Sequence, residues 1–483
     1  MSTSNSSASS SLSSGMTLEH RRFSEADQID FAALSGDRNP LHIDPLVSRR
    51  LLFGRWVVHG VHTLLWALDA YCAQAGESVA LASLHVEFKA PVSPGDECSV
   101  SVAEKRGRIV LEVKSGGRRS MVAKFKTNAE ARERVALIPG SPPVSEPVAL
   151  ERSELERAAG DTPLQLDEAA LIRMLPALHK HARSDQVAVL LASTRIVGMQ
   201  CPGLNSVFAG LRLDFTSDRH DGESFLHYET RIFEPRFSLL ELDLVGPGVQ
   251  GTATCYERPQ PHAQPSFAEV RAQLRSDCFA GQVALVVGGS RGLGALTATM
   301  VAAGGGEVLI SYCRGREDAE TLAGEIAAAG GRARTLQLDV SDADSIARLE
   351  TPADLSHVYY FATPRITRNE TAFDEVLVDS FREIYVDGFE ACVRHLLSGS
   401  PSLSIFYPSS IYVTEGERGF AEYARAKQEG EVLCARLEDA HPGLRIRASR
   451  LARLATDQTA GLVEEALPDA LPILISEYEH LRN

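Results

Sequence analysis

Gln282-Val283-Ala284-Leu285-Val286-Val287-Gly288-Gly289-Ser290-Arg291-Gly292-Leu293-Gly294 sets an unbroken apolar run directly against a glycine-rich loop. Such a run suits a strand buried on both faces of a parallel sheet. Glycines at 288, 292 and 294 let backbone amides approach a pyrophosphate at the N-terminus of the helix that follows. From Phe279 onward, strand and helix patterns alternate as in a doubly wound α/β sheet. Asp339-Val340 and Tyr423-x-x-x-Lys427 come later in the same region.

Toward the N-terminus the pattern changes. Residues 258–278 carry three prolines and read as a linker. Residues 150–257 hold a helical region at 167–182, then Pro202-Gly203-Leu204, then the strand-like stretches Ser206–Phe215, Glu223–Phe233 and Gly251–Tyr256. Residues 129–149, with charges and then Pro-rich sequence, read as another linker. Residues 16–128 open with a helix over 24–34 and a Gly36-Asp37-Arg38-Asn39-Pro40 turn. An apolar helix over Gly60–Ala73 and alternating strands at Ala82–Val92 and Ile109–Val113 follow. Phe208–Phe215 sits where Leu84–Phe88 sits in the earlier stretch, so the two stretches form a weak internal repeat of a helix wrapped by a sheet. The Ser-rich residues 1–15 lack the basic and apolar regions of a signal peptide and are expected to be a disordered tail.

The turn at residue 36 carries chemistry. Phe31-Ala32-Ala33-Leu34-Ser35-Gly36-Asp37-Arg38-Asn39-Pro40-Leu41-His42 places a carboxylate and an imidazole five residues apart. Adding water to an unsaturated thioester needs a base for water, an acid for C2, and donors for the thioester oxygen. Asp37 and His42 offer the first two, and the amide of Gly60, at the start of the apolar helix, offers the third. His59 and His62 read as helix-start or packing residues. The string, together with His59-Gly60, Phe88-Lys89-Ala90-Pro91-Val92 and Gly95-Asp96, resembles the MaoC-like (R)-specific enoyl-thioester hydratases. That resemblance covers residues 17–126 and implies a hot-dog fold in which Asp37 and His42 carry catalysis. Residues 150–257 lack the string, and His179, His181 and Asp185 lack its spacing. They are expected to be a second, catalytically silent hot-dog half that pairs with the first and shapes an acyl pocket. In the type 2 peroxisomal multifunctional enzymes the silent half comes first, so the order here is reversed.

The glycine loop, Asp339-Val340 and Tyr423-x-x-x-Lys427 together resemble the short-chain dehydrogenases/reductases over residues 279–483. The resemblance implies a cofactor site at Gly288, Ser290, Arg291, Gly292, Leu293, Gly294, Asp339 and Val340, with Tyr423 and Lys427 also touching the cofactor. It further implies that Tyr423 protonates the carbonyl oxygen, Lys427 lowers the pKa of Tyr423, and Ser410, better spaced than Ser409, holds the substrate oxygen. Arg291 and Arg314, with the second strand ending in Arg314 and offering no acidic residue there for a ribose 2′-hydroxyl, could clamp a 2′-phosphate, which favours NADPH over NADH. Three departures stand out: Phe361-Ala362-Thr363-Pro364 replaces Asn-Asn-Ala-Gly, Tyr385 takes the place of a helix asparagine, and Arg453-Leu454 replaces Pro-Gly. No seventh strand is recognisable before Asn483. These features lean toward the ketoreductase domains of polyketide assembly lines.

The chain's 483 residues suffice for roughly three domains. A net charge of −15 argues against nucleic acid or anionic membranes as partners. Eight cysteines without a Cys-x-x-Cys pair suit reduced thiols in a cytoplasmic protein, and no metal site is expected. The reading is a bifunctional enzyme: reduction of a 3-oxoacyl thioester with NADPH, then dehydration to the enoyl product in fatty-acid or polyketide-type biosynthesis. Hydration followed by oxidation, as in β-oxidation, is one alternative. A single active hydratase with a non-catalytic Rossmann docking domain is the other. The carrier is acyl carrier protein or coenzyme A, and the assembly is a monomer or a homodimer.

Overall fold

A computed structural model describes residues 15–128, 135–216, 224–366, 368–369, 372–462, 465–479 and 481. The expected Ser-rich tail lies outside the described residues, apart from Gly15. The chain divides into two compact units at Gln260/Pro261. Among the described residues, no helix is long and apolar enough to cross a membrane.

The first unit is built on one ten-stranded antiparallel sheet. Its first half contributes β1 (Met16–Arg22), α1 (Glu25–Ser35), α2 (Gly60–Ala75), β2 (Leu81–Phe88), β3 (Glu97–Lys105), β4 (Arg108–Ser115) and β5 (Arg118–Thr127). Ser24 caps α1 in a reciprocal box with Asp27, and Gly36 ends it in the left-handed conformation. α2 is apolar almost all round, with buried residues at nearly every position from Val61 to Cys72, because the sheet wraps it. This is the hot-dog arrangement.

The second half repeats it with β6 (Ala159–Pro163), α3 (Glu168–Met174), α4 (Pro176–His181), α5 (Ser184–Arg195), β7 (Ser206–Phe215), β8 (Phe225–Glu234), β9 (Leu239–Gly246) and β10 (Val249–Glu257). The strand order is β1-β3-β4-β5-β2-β7-β10-β9-β8-β6. The halves join where β2 pairs with β7, Ser83 opposite Asp214 through Glu87 opposite Gly210. The Gln186 amide adds a second joint by bonding both the N–H and the C=O of Leu81, each at 2.8 Å. One apolar core runs through both halves. Burying each of its leucines stabilises the fold by about 1.5–3 kcal/mol.

Two expectations change here. The wrapped helix of the second half is not the 167–182 region, which forms the short α3 and α4, but α5, continued by a π-helical turn over Ile196–Gln200. α5 is buried at every position after Ser184, so it shows none of the polar-face periodicity that marks a surface helix. The stretch read as a linker over 258–278 contains a capped helix, Phe267–Gln273.

The second unit holds a six-stranded parallel sheet. In chain order its elements are β11 (Val283–Val287), α6 (Gly292–Ala303), β12 (Glu307–Tyr312), α7 (Arg316–Ala328), β13 (Arg332–Gln337), β14 (His357–Tyr360), α8 (Glu375–Arg382), α9 (Phe389–Gly399), β15 (Leu403–Ser410), α10 (Ala421–Ala440), β16 (Leu444–Leu451) and α11 (Ala470–Glu479). The strand order is β13-β12-β11-β14-β15-β16, and apolar clusters form two layers of core. This is the Rossmann-type order, whose direction reverses beside β11 and leaves a crevice at the carboxyl ends of the strands.

Candidate active sites

In the first unit, the left-handed Gly36 (φ 75°) turns the chain out of α1 and into the Asp37 loop. Asn39 Oδ1 accepts from Leu41 N–H at 3.1 Å and caps the short turn that carries His42. Asp37 is 2% exposed, and its Oδ1 accepts from Asn39 N–H at 3.2 Å. His42 Nδ1 lies 2.8 Å from the Val57 carbonyl. A ring nitrogen facing a carbonyl must carry the proton, so Nε2 is left as the proton acceptor. The His42 ring stacks on His59 with centroids 4.0 Å apart. His59 Nε2 in turn donates to the Asp37 carbonyl oxygen at 3.0 Å.

Asp37, His42 and His59 each present one ligand-capable atom, all within 4.8 Å of one another. Among the described residues this is where a divalent cation could be held. It is also close enough for one water to touch carboxyl and imidazole together. Burial raises the Asp37 carboxyl above the usual range, against the pull of His42 and hydrogen bonds from Thr194 and Asn39. Burial likewise lowers the His42 imidazole. Gly60 opens α2, and its N–H, like the others of the first turn, has no partner within the helix. A Cβ at Gly60 would stand 3.0 Å from the Phe88 ring, so a side chain there would press on that ring.

Residues absent from the sequence reading complete this site. Thr194 Oγ1 donates to Asp37 Oδ2 at 2.7 Å, and Gly198 lies against the same carboxyl group. Both belong to the half without the Asp-x-Asn-Pro-x-His string. Its one legible signal was the Gly/Pro cluster that follows, Gly198 to Gly203.

In the second unit, Gly288 (φ 74°) and Gly292 (φ 57°) take conformations that suit glycine. A Cβ on Gly294 would lie 2.2 Å from the Gly288 carbonyl. Gly288 N–H is held by Ser311 Oγ at 3.0 Å. The loop therefore forms a backbone cradle at the start of α6, with Ser290, Arg291 and Leu293 along it, and it fits a dinucleotide pyrophosphate. Arg314 follows β12. The Asp339 carboxylate accepts from Ser341 N–H, Ser341 Oγ and Cys313 Sγ at 3.0, 2.7 and 3.3 Å. The Ser341 hydroxyl is the chief cause holding it below the usual carboxylate range. Val340 backs onto Gly388, where a Cβ would come within 2.5 Å of its carbonyl oxygen.

Tyr423 and Lys427 face inward from α10, 8% and 5% exposed. Burial raises the Tyr423 hydroxyl to about 12, opposed by a hydrogen bond with Ser410. Ser409 instead donates to Glu431 at 2.5 Å. Lys427 Nζ donates to the Pro408 carbonyl at 2.7 Å and lies 3.7 Å from the centroid of the Tyr385 ring. Burial lowers its amine to about 7. The Tyr385 hydroxyl meets Thr363 Oγ1 at 2.5 Å, so two of the three departures touch each other.

Comparison with known proteins bears on both units. The family described as short chain dehydrogenase matches residues 282–357. A cis-4-hydroxycyclohexanecarboxylate dehydrogenase from Sinomonas cyclohexanicum is 31% identical over 197 residues, 38% of this chain and 78% of that relative. The chain belongs to the short-chain dehydrogenase family. This dehydrogenase domain is also 29% identical over 202 residues to a 3-oxoacyl-(acyl-carrier-protein) reductase from Synechocystis sp., covering 40% of this chain and 82% of that relative. The first unit carries a MaoC-like domain: the family described as MaoC like domain matches residues 10–124. The protein named Protein MaoC from Klebsiella aerogenes is 37% identical over 89 residues, 18% of this chain and 26% of that relative. The dehydrogenase domain implies a nicotinamide cofactor, and its glycine cradle fits one.

Proposed function

We propose that this protein is a bifunctional enzyme of biosynthetic direction, reducing a 3-oxoacyl thioester with NADPH and dehydrating the resulting (R)-3-hydroxyacyl thioester. The observation that carries it is the presence in one chain of two proton-transfer sites whose chemistries share a metabolite. One is the pair of buried Asp37 and half-buried His42, and the other is Tyr423 bonded to Ser410 one helical turn from Lys427. The name of the Synechocystis relative supports the substrate class.

For dehydration, the Asp37 carboxylate takes the proton from C2. The electrons of that bond form the C2=C3 double bond, the C3–O bond breaks, and protonated His42 gives its proton to the departing hydroxyl, which leaves as water. The pair starts and ends with one proton between its two members. Burial favours the neutral form of each, which brings the Asp37-acid and His42-cation forms close in energy. The Gly60 amide stabilises the enolate charge on the thioester oxygen.

For reduction, Gly288, Ser290, Arg291, Gly292, Leu293 and Gly294 would hold the cofactor's pyrophosphate, and Asp339 and Val340, which follow β13, would contact the cofactor elsewhere. Arg291 and Arg314 recognise its 2′-phosphate. Bound NADPH supplies a hydride. Ser410 holds the ketone oxygen, Tyr423 protonates it, and the Lys427 charge makes that proton easier to give.

The test is NADPH consumption by the full chain with acetoacetyl-CoA, followed by mass analysis. Cofactor oxidation with crotonyl-CoA as product is expected. A strong preference for NADH would overturn the biosynthetic direction. A second reading, in which the dehydrogenase domain is a non-catalytic docking module, draws on the engagement of Lys427 by Pro408 and Tyr385. It predicts interconversion of crotonyl-CoA and 3-hydroxybutyryl-CoA with no NADPH oxidation.

A further inference from the structure

The half of the first unit that lacks the Asp-x-Asn-Pro-x-His string touches the Asp37 carboxyl at two places and pins the loop that carries it at a third. Thr194 Oγ1 donates to Oδ2 at 2.7 Å. A Cβ on Gly198 would lie 2.2 Å from Oδ1 and 2.5 Å from both Cγ and Oδ2, so the carboxyl rests directly on the main chain of the π-helical turn. The Asn39 amide, two residues after Asp37, donates to the carbonyls of Gly198, Gly203 and Leu204 at 3.0, 3.0 and 3.1 Å. Thr194 is 3% exposed and Asp37 2%, so water competes with none of this.

We propose that Thr194 is a positioning residue for the dehydratase, holding and aiming the Asp37 carboxylate from the half that carries no catalytic motif. The proposal rests on the dehydratase reading given above. Its physical basis is that one donor fixes one oxygen of a carboxylate that could otherwise rotate, in a place where bulk water cannot replace it. Gly198 is part of the same device, because any side chain there would occupy the space of the carboxyl group. A hydroxyl donating to Oδ2 also favours the ionised carboxylate, which burial alone would disfavour.

Thr194→Val removes the donor while keeping nearly the same shape, and it can be assayed in the full chain by dehydration of 3-hydroxybutyryl-CoA across pH, the direction in which Asp37 must be ionised. A loss of about 10- to 100-fold in kcat is expected for a hydrogen bond to a charged group, with KM little changed. The acid limb of kcat/KM should move to higher pH, since Asp37 without its donor holds a proton more tightly. Thr194→Ser should restore both. A packing role alone would lower the whole profile without moving its limb, and Ser would then rescue no better than Val. That result, or a wild-type profile for Thr194→Val, overturns the proposal. An unaltered thermal midpoint for the variants is the expected sign that the fold is kept. If wild-type protein does not hydrate crotonyl-CoA, or Asp37→Asn does so at the wild-type rate, the dehydratase reading falls and this proposal falls with it.

Discussion

Lys427 is the residue whose chemistry depends most on its neighbours. Its amine sits over the Tyr385 ring at 3.7 Å and within 5.1 Å of the Tyr407 ring centroid, and burial brings its pKa down to about 7. Because the folded-state value is depressed, the ammonium is present below pH 7 and lost as pH rises through it. Reduction that uses the Lys427 charge should therefore decline about tenfold per pH unit above 7 in kcat/KM. Cation–π contact is worth about 0.5–2 kcal/mol, so Tyr385→Leu should move that ionisation lower by roughly half a unit to one and a half units. A profile flat to pH 9 in the wild type, or one unmoved by Tyr385→Leu, would sink this account. The Tyr-x-x-x-Lys spacing was legible in the sequence. The aromatic face beneath the amine was not, because Tyr385 and Lys427 are 42 positions apart in sequence and meet only when the turn over Glu383–Gly388 packs on α10.

At the scale of the element, α2 carries an unusual burden in His62. The ring stacks on Phe31 at 4.4 Å with planes 4° apart and meets Phe23 at 4.8 Å. Neither of its buried nitrogens has a hydrogen-bond partner among the described residues. Burial, with some repulsion from Arg21, lowers its pKa from 6.5 to about 3. The sign follows directly: the neutral ring's contribution is complete above pH 6.5 and is lost as pH falls toward 3, at about 1.4 kcal/mol per unit. His62→Phe should thus outlast the wild type in denaturant at pH 5 by clearly more than it does at pH 7. Parallel stability curves for the two proteins would refute it. α2 itself was evident from its apolar run and from Gly76, which ends it in the left-handed conformation. α5 was not, since a helix buried on every side has no periodicity to read.

Across the whole molecule, two sites that share a metabolite give a test of order. Asp37→Asn should leave NADPH consumption intact and make 3-hydroxybutyryl-CoA accumulate from acetoacetyl-CoA. Tyr423→Phe should abolish NADPH consumption and leave crotonyl-CoA hydration unchanged. Loss of both activities in either single variant would show that the sites are not separable as proposed. The sheet explains why the first unit tolerates a half without the motif: β2 and β7 make one continuous ladder, and one core runs through both halves. Structural duty thereby falls on both halves, while the proton-transfer residues need appear only once.

Local chemistry that a few adjacent residues complete was readable from the chain alone. The glycine loop after β11, the Asp37–His42 turn and the two fold classes all rest on short-range pattern, where backbone conformation and apolar spacing act over ten residues or so. Tertiary structure alone decided what each site group touches. Thr194 stands 157 positions from Asp37, Gly198 lies in a π-helical turn that no propensity marks, and Tyr385 reaches Lys427 only through helix packing. Hydrogen bonds, desolvation and ring contacts act over a few ångströms of space. Only the folded chain brings such distant positions within that range.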